Sequence, residues 1–300
     1  MSILYLPYEK IDFQKWDACI GGASNGSVYA LSTYLDHMSP GWDALIQDDY
    51  EAVMPLTHKK KWGIEYLYQP PLTAEGGIFG KASITTPLLN AFLQAIPTKY
   101  KLWEFSLNRG NLIEGSDFPI YKRMNFILPL NKPYEEISEK YRKDLKANLK
   151  KAAEEELEYH KATGIDAVIG LADRKLKSLT NLTNKDYENF KALTQKLNAK
   201  IRAVRNKNGA ILASGVFFFS HDKAYYVLAG NHDEGRKTGA SHFLLDQFIK
   251  EFANTKITFD FEGSDLPNLA MFYKGFGAEE APYAAIRLNR LPKAIRWLKG

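Results

Sequence analysis

The sequence predicts an α/β protein with mixed sheets, built twice over in two halves of the same element order. Three observations carry that prediction. The chain has 300 residues, long for one domain and comfortable for two. Its 45% apolar and 13% aromatic content is enough for a sizeable core. Strand-period and helix-period patterns follow one another as strand, helix, helix, three strands, helix, strand, and then the order begins again. The boundary is expected near Asn131-Lys132-Pro133, giving domains 1–131 and 132–300.

Taken in order, Ile3–Leu6 reads as a strand and Ile11–Ile20 as a helix after the turn at Pro7. Gly21 to Ser27 is a loop of turn residues. Tyr29–Met38 is helical, with Leu31, Tyr34, Leu35 and Met38 on one face. Trp42–Gln47 and Glu51–Thr57 are strands about Asp48-Asp49-Tyr50, and Gly63–Tyr68 is a third. Ile84–Ile96 is a helix, Lys101–Leu107 and Phe126–Leu130 strands. Tyr134 to Glu156 reads as one long charged helix, with Arg142, Lys143, Lys146, Lys150 and Lys151 forming a solvated face. A short strand is expected at Leu157–Ala162, helices at Ile165–Lys177 and Lys185–Leu197, and a hairpin of Ala199–Asn206 with Ala210–Ser220 about the Asn208-Gly209 turn.

The last quarter is the most informative stretch. Strand Ala224–Ala229 runs into a basic Gly loop ending Arg236-Lys237-Thr238-Gly239-Ala240-Ser241, and helix His242–Phe252 follows. Free backbone N–H groups at a helix start, a glycine and two cations suit a phosphate or pyrophosphate. The plain alternative is a turn capped by Thr238 or Ser241. Strand Lys256–Phe261 then ends at Asp260 and Glu262, and Tyr273-Lys274-Gly275-Phe276-Gly277 closes a short helix before a last strand.

This stretch resembles the GNAT acyltransferase superfamily, in which a basic residue, a spaced Gly and a Gly or Ala open a helix and a Tyr-x-x-x-Gly pattern follows. Ser241 departs from the Gly or Ala that the family prefers. The doubled element order is similar to the tandem arrangement of Fem-like peptidoglycan aminoacyltransferases and their acetyltransferase-like relatives. The resemblance covers nearly the whole chain in element order, but its motifs lie only beyond about Tyr225. It implies two tandem GNAT (acyl-CoA N-acyltransferase)-like domains. It also implies an N-acyltransferase moving an acyl group, acetyl above all, from acetyl-CoA or another acyl-CoA to a small-molecule or peptide-like amine. Arg236 to Ser241 would then hold the pyrophosphate, and Tyr273 would protonate the leaving thiolate. The other reading of Tyr273 is an aromatic packed on the sheet. The alternatives are a Fem-type transferase using aminoacyl-tRNA on a cell-wall precursor, and a binding protein that keeps the fold. The long antiparallel helical arm of Fem-type enzymes is missing, which argues against a tRNA donor.

Acyl transfer needs a base for the amine, donors for the oxyanion and an acid for the leaving group. A backbone N–H near Leu228 suits the oxyanion. Asp260 and Glu262 share a strand face and suit a general base or an amine site, or else a hydrogen-bonded turn. Tyr34, Trp42, Tyr68 and Gln69 concentrate polar aromatics near loops, as an acceptor pocket between the halves or as core. The six histidines show no metal spacing, and one cysteine, Cys19, gives neither a disulfide nor a zinc site. Net charge is +5 with mixed signs, which suits an anionic co-substrate and does not demand nucleic acid. The first residues lack a basic n-region, and no apolar run approaches a membrane span. A cytoplasmic protein is expected.

Overall fold

A computed structural model describes residues 2–112, 114–176, 182–263 and 265–292. The far end of the helix expected to reach Lys177 lies outside them. The chain forms two compact units, Met1–Met124 with the chain from Pro282 onward, and Asn125–Ala281.

The first unit opens with β1 (Ile3–Leu6), and Asp12 then caps α1 (Phe13–Gly22) by accepting from the N–H groups of Gln14 and Lys15. α2 (Ser32–Met38) follows, then β2 (Asp43–Gln47) and β3 (Ala52–Leu56). β4 (His58–Lys61) and β5 (Ile64–Tyr68) form a hairpin. β4 escapes the sequence reading because three lysines hide its alternation. β6 (Phe79–Gly80), α3 (Thr86–Ala95), β7 (Tyr100–Ser106) and β8 (Ile120–Arg123) complete the pass.

The second unit begins at β9 (Phe126–Pro129). The long charged helix expected here is two helices, α4 (Tyr134–Glu139) and α5 (Lys143–Glu154). Arg142 is extended at the break, and its N–H donates to the carbonyl of Gly275 instead of continuing a helix. β10 (Glu158–His160), α6 (Ile165–Leu176), α7 (Asn184–Lys196), β11 (Lys200–Arg205) and β12 (Ile211–Ser220) follow. Then come β13 (Lys223–Asn231), α8 (Asp233–Thr238), α9 (Ala240–Phe252), β14 (Thr258–Asp260), α10 (Pro267–Gly275) and β15 (Glu279–Glu280). β16 (Tyr283–Asn289) returns to the first unit.

The sheets explain the units. The first unit holds β1-β2-β3-β6 and a second sheet, β4-β5-β7-β16-β8. The second holds one seven-stranded sheet, β10-β11-β12-β13-β14-β9-β15. Thus β9 lies between β14 and β15, and β16 lies between β7 and β8. A cut at 131/132 would strip the seven-stranded sheet of β9 and the five-stranded sheet of β16, both interior strands. The apolar pattern of β16 accounts for its place, since Ala284 and Ile286 are fully buried beside Trp103 and Phe92. The core of the second unit is aromatic, with Phe217 and Phe248 stacked at 3.9 Å between ring centroids.

Candidate active site

Among the described residues each unit has one pair of parallel strands, β5 and β7 joined through α3 and β13 and β14 joined through α8 and α9. Open α/β sheets gather ligands where such strands part at their carboxyl ends. In the first unit β5 and β7 run parallel, and Tyr68 opposite Glu104 is their last register pair. In the second, β13 and β14 run parallel, and Tyr225 opposite Asp260 is the last. A tyrosine faces a carboxylate at both places.

In the first unit the strands part around Gln69. Its Oε1 accepts from the N–H of Ser106 at 2.7 Å, and its Nε2 donates to the carbonyl of Thr73 at 2.8 Å. The amide side chain thus continues β5 by one rung and then turns the chain away. Beyond it opens a cleft of about 300 Å³ lined by Tyr68, Gln69, Glu104, Phe105, Ser106, Tyr121 and Arg123. Glu104 and Tyr121 are exposed, and the guanidinium of Arg123 lies 5.7 Å from the ring centre of Tyr283.

Three asparagines fix the crossover loop leading from this cleft to α3. Asn25, Asn108 and Asn111 donate to the carbonyl of Ile78 at 2.8, 2.9 and 3.0 Å. Asn111 Oδ1 also accepts from the N–H of Ile78 at 2.7 Å. Gly77, at φ +82°, fits only because a Cβ there would come within 2.3 Å of that oxygen. Sequence reasoning missed this clamp. The cluster Asn108-Arg109-Gly110-Asn111 after a strand was its one available signal.

Of the expected acceptor residues, Tyr68 and Gln69 line the cleft. Tyr34 and Trp42 do not. Both are fully buried, Tyr34 donating to the carbonyl of Leu72 and Trp42 to Asp36 at 2.9 Å. Their polar edges are used inside the unit, and their rings fill its core.

In the second unit the corresponding position is filled. Tyr225 is fully buried, and Asp260 is 6% exposed. Asp260 Oδ1 accepts from Asn125 Nδ2 and from the N–H of Glu262, both at 2.9 Å. Glu262 has φ +66° and Gly263 φ +75°, so the chain turns sharply under that carboxylate. The ring of Tyr273 packs against Phe261 at 4.7 Å and Phe126 at 6.1 Å. Burial pushes its hydroxyl well above the ordinary tyrosine range, and Tyr226, Glu262 and Asp260 add to the shift. Tyr273, Glu262 and Asp260 therefore lie close together in a packed place, with Glu262 past the end of β14 and not on a shared strand face with Asp260.

The basic Gly loop is not a loop. Asp233–Thr238 forms helix α8, with acids in its first turn and Arg236 and Lys237 in its last, the charge order a helix dipole favours. Gly239 closes it at φ +74°. A Cβ there would lie 2.4 Å from the carbonyl oxygen of Asn148, so the glycine admits α5, a piece of the protein itself. Ala240 is fully buried, and the Thr238 hydroxyl donates to the carbonyl of Glu234 at 3.2 Å. Neither Thr238 nor Ser241 caps α9, whose N-cap is Gly239. Ser241 instead donates to Asn231 Oδ1 at 2.6 Å. Arg236 and Lys237 point their charge to solvent. Leu228 is buried opposite Val216, just past a bulge in β13.

No protein-family model matches the chain. No curated protein matches it in sequence. Solved structures do match in fold. FemX covers all of this chain and is itself covered fully, at 15% identity and a TM-score of 0.67. L-PGS from Bacillus licheniformis covers 95% of this chain, 94% of its own length matching, at 14% identity and a TM-score of 0.57. A conserved protein of unknown function from Bacteroides thetaiotaomicron covers 95%, with all of its own length matching, at 13% identity and a TM-score of 0.61. The fold is like that of FemX, an α/β arrangement with its sheets in two units. Among the described residues no helix is long and apolar enough to cross a membrane.

Proposed function

We propose that the protein is an N-acyltransferase, moving an acyl or aminoacyl group from an activated thioester or ester onto an amine. The observation that carries this reading is the cleft where β5 and β7 part, which combines a carboxylate, a guanidinium and two phenols. Likeness to FemX along the whole chain supports the reaction class.

In this reading Glu104 takes a proton from the acceptor ammonium or amine as nitrogen attacks the acyl carbonyl. The tetrahedral oxyanion needs donors, and Arg123 with the Tyr68 or Tyr121 hydroxyl supplies them. The C–S or C–O bond of the donor then breaks, and the thiolate or alkoxide leaves with the proton that Glu104 took from the nitrogen. Acyl-CoA remains the first donor to try. An aminoacyl ester on tRNA is the second, favoured by the full-length match to FemX. Tyr273 as the acid belongs to a version of the reaction run in the second unit, and its burial weighs against that version.

The test is a transfer assay with panels of acyl-CoA and aminoacyl-tRNA donors against primary amines. Product should form with one donor class and fall on the order of 100-fold or more in Glu104→Gln. Undiminished product in that variant would remove Glu104 and the cleft from the mechanism.

A further inference from the structure

The tip of the β4–β5 hairpin carries Lys59, Lys60, Lys61, Trp62 and Gly63 in a row. The loop is two residues, Trp62 at φ +51° and Gly63 at φ +78°, between the paired Lys61 and Ile64. Positive φ at both places is the geometry of a type I′ turn, which asparagine and glycine favour. A tryptophan in the left-handed region is locally the wrong residue. It is also 80% exposed, while Trp16, Trp42 and Trp103 are at most 1% exposed.

Lysines dominate the charge around it. Lys61 Nζ lies 4.7 Å over the Trp62 ring, and Lys59 Nζ lies 4.4 Å over that of Tyr68. By register Lys59 is opposite Tyr66 and Lys61 opposite Ile64, so these share a face. Lys60 is opposite Glu65 on the other face, and Glu65 also pairs with Lys99 at 3.7 Å. Lysines on an edge strand discourage edge pairing, which accounts for the cations. It does not account for an exposed tryptophan held in an unfavourable turn.

We propose that this hairpin docks the protein on an anionic lipid surface. Trp62 enters the headgroup boundary, where an indole is at home, and the lysines meet the negative charge. The strip of Ile64, Tyr66 and Tyr68 runs from the tip to the cleft, so docking sets the cleft beside the surface.

Flotation of the full chain with vesicles tests this. Vesicles of phosphatidylcholine with phosphatidylglycerol should bind it, salt should weaken the binding, and phosphatidylcholine alone should not bind. Trp62→Asn should lose about tenfold in affinity, while its unfolding midpoint stays level or rises because asparagine suits the turn. Lys59→Gln and Lys61→Gln should each lose about fivefold. Equal binding by Trp62→Asn, or no binding to the anionic vesicles, overturns the proposal. So does hairpin-dependent binding of single-stranded RNA without vesicle binding.

Discussion

The two partings of parallel strands begin alike and end differently. Tyr68 faces Glu104 in the first unit, and Tyr225 faces Asp260 in the second. Glu104 is exposed in a cleft, whereas Asp260 is buried under two hydrogen bonds. The second unit spends its carboxylate on holding the turn at Glu262, and aromatic rings occupy the space a ligand would need. The first unit spends an asparagine clamp and Gln69 on keeping its loop aside. A repeated fold thus supplies two candidate positions, and side-chain volume at the parting decides which one is open.

The largest expected effect breaks the comparison through activity. Glu104→Gln should cut turnover by about 10²- to 10⁴-fold with little change in stability, since the residue is exposed. Steady-state kinetics and a thermal unfolding curve on the same sample check both halves of that statement.

Next comes packing in the second unit. Gly239→Ala drives a methyl into the carbonyl of Asn148 and asks alanine to hold φ +74°. Overpacking and left-handed strain together predict a loss of about 3 kcal/mol. Chemical denaturation measures it. A stable variant would mean that α5 readily moves off the glycine, as a pyrophosphate site there would require.

How far this was legible in the sequence depends on the residue. Two central strands of the first unit were readable because Ala52–Leu56 and Asp43–Gln47 are apolar runs bounded by turn residues. The exchange of β9 and β16 was not readable, because apolar alternation says that a strand has a buried face and not which sheet it joins. Tyr273, Glu262 and Asp260 were legible as polar groups at strand and helix ends, but exposure depends on what packs over them. Gly239 was read as room for a ligand, yet the same freedom serves a helix end and a close helix contact. Tyr34 and Trp42 show the same limit, since polar aromatics look alike in a pocket and in a core.

A smaller effect concerns a buried network in the first unit. Asp43 accepts from the hydroxyls of Tyr5 at 2.5 Å and Tyr100 at 2.7 Å, and His58 Nε2 lies 3.3 Å away. Burial alone would raise this carboxyl, but the bonds from His58, Tyr5 and Tyr100 outweigh it and hold it well below the usual carboxylate range. A depressed carboxyl stabilises the fold above its unfolded value of about 3.9 and loses that contribution as pH falls from there toward the folded value. Asp43→Asn should cost about 2 kcal/mol at neutral pH and flatten the fall of stability below about pH 4. Urea midpoints across pH for both proteins decide it.

The smallest effect is at Tyr273. Tyr273→Phe keeps the ring among Phe261 and Phe126 and removes one buried hydroxyl. Stability should change by about 1 kcal/mol or less, with near-normal turnover. A drop of roughly 10- to 1,000-fold in turnover would instead make it the acid and move the reaction to the second unit.

The most direct measurement is a crystal structure with a non-hydrolysable acyl-CoA or aminoacyl ester analogue, chosen by whichever donor class turns over. Density for the acyl group between Tyr68, Glu104 and Arg123 is the expected result. Density for the acyl group beside Tyr273 and Glu262, with the cleft of the first unit empty, would contradict it.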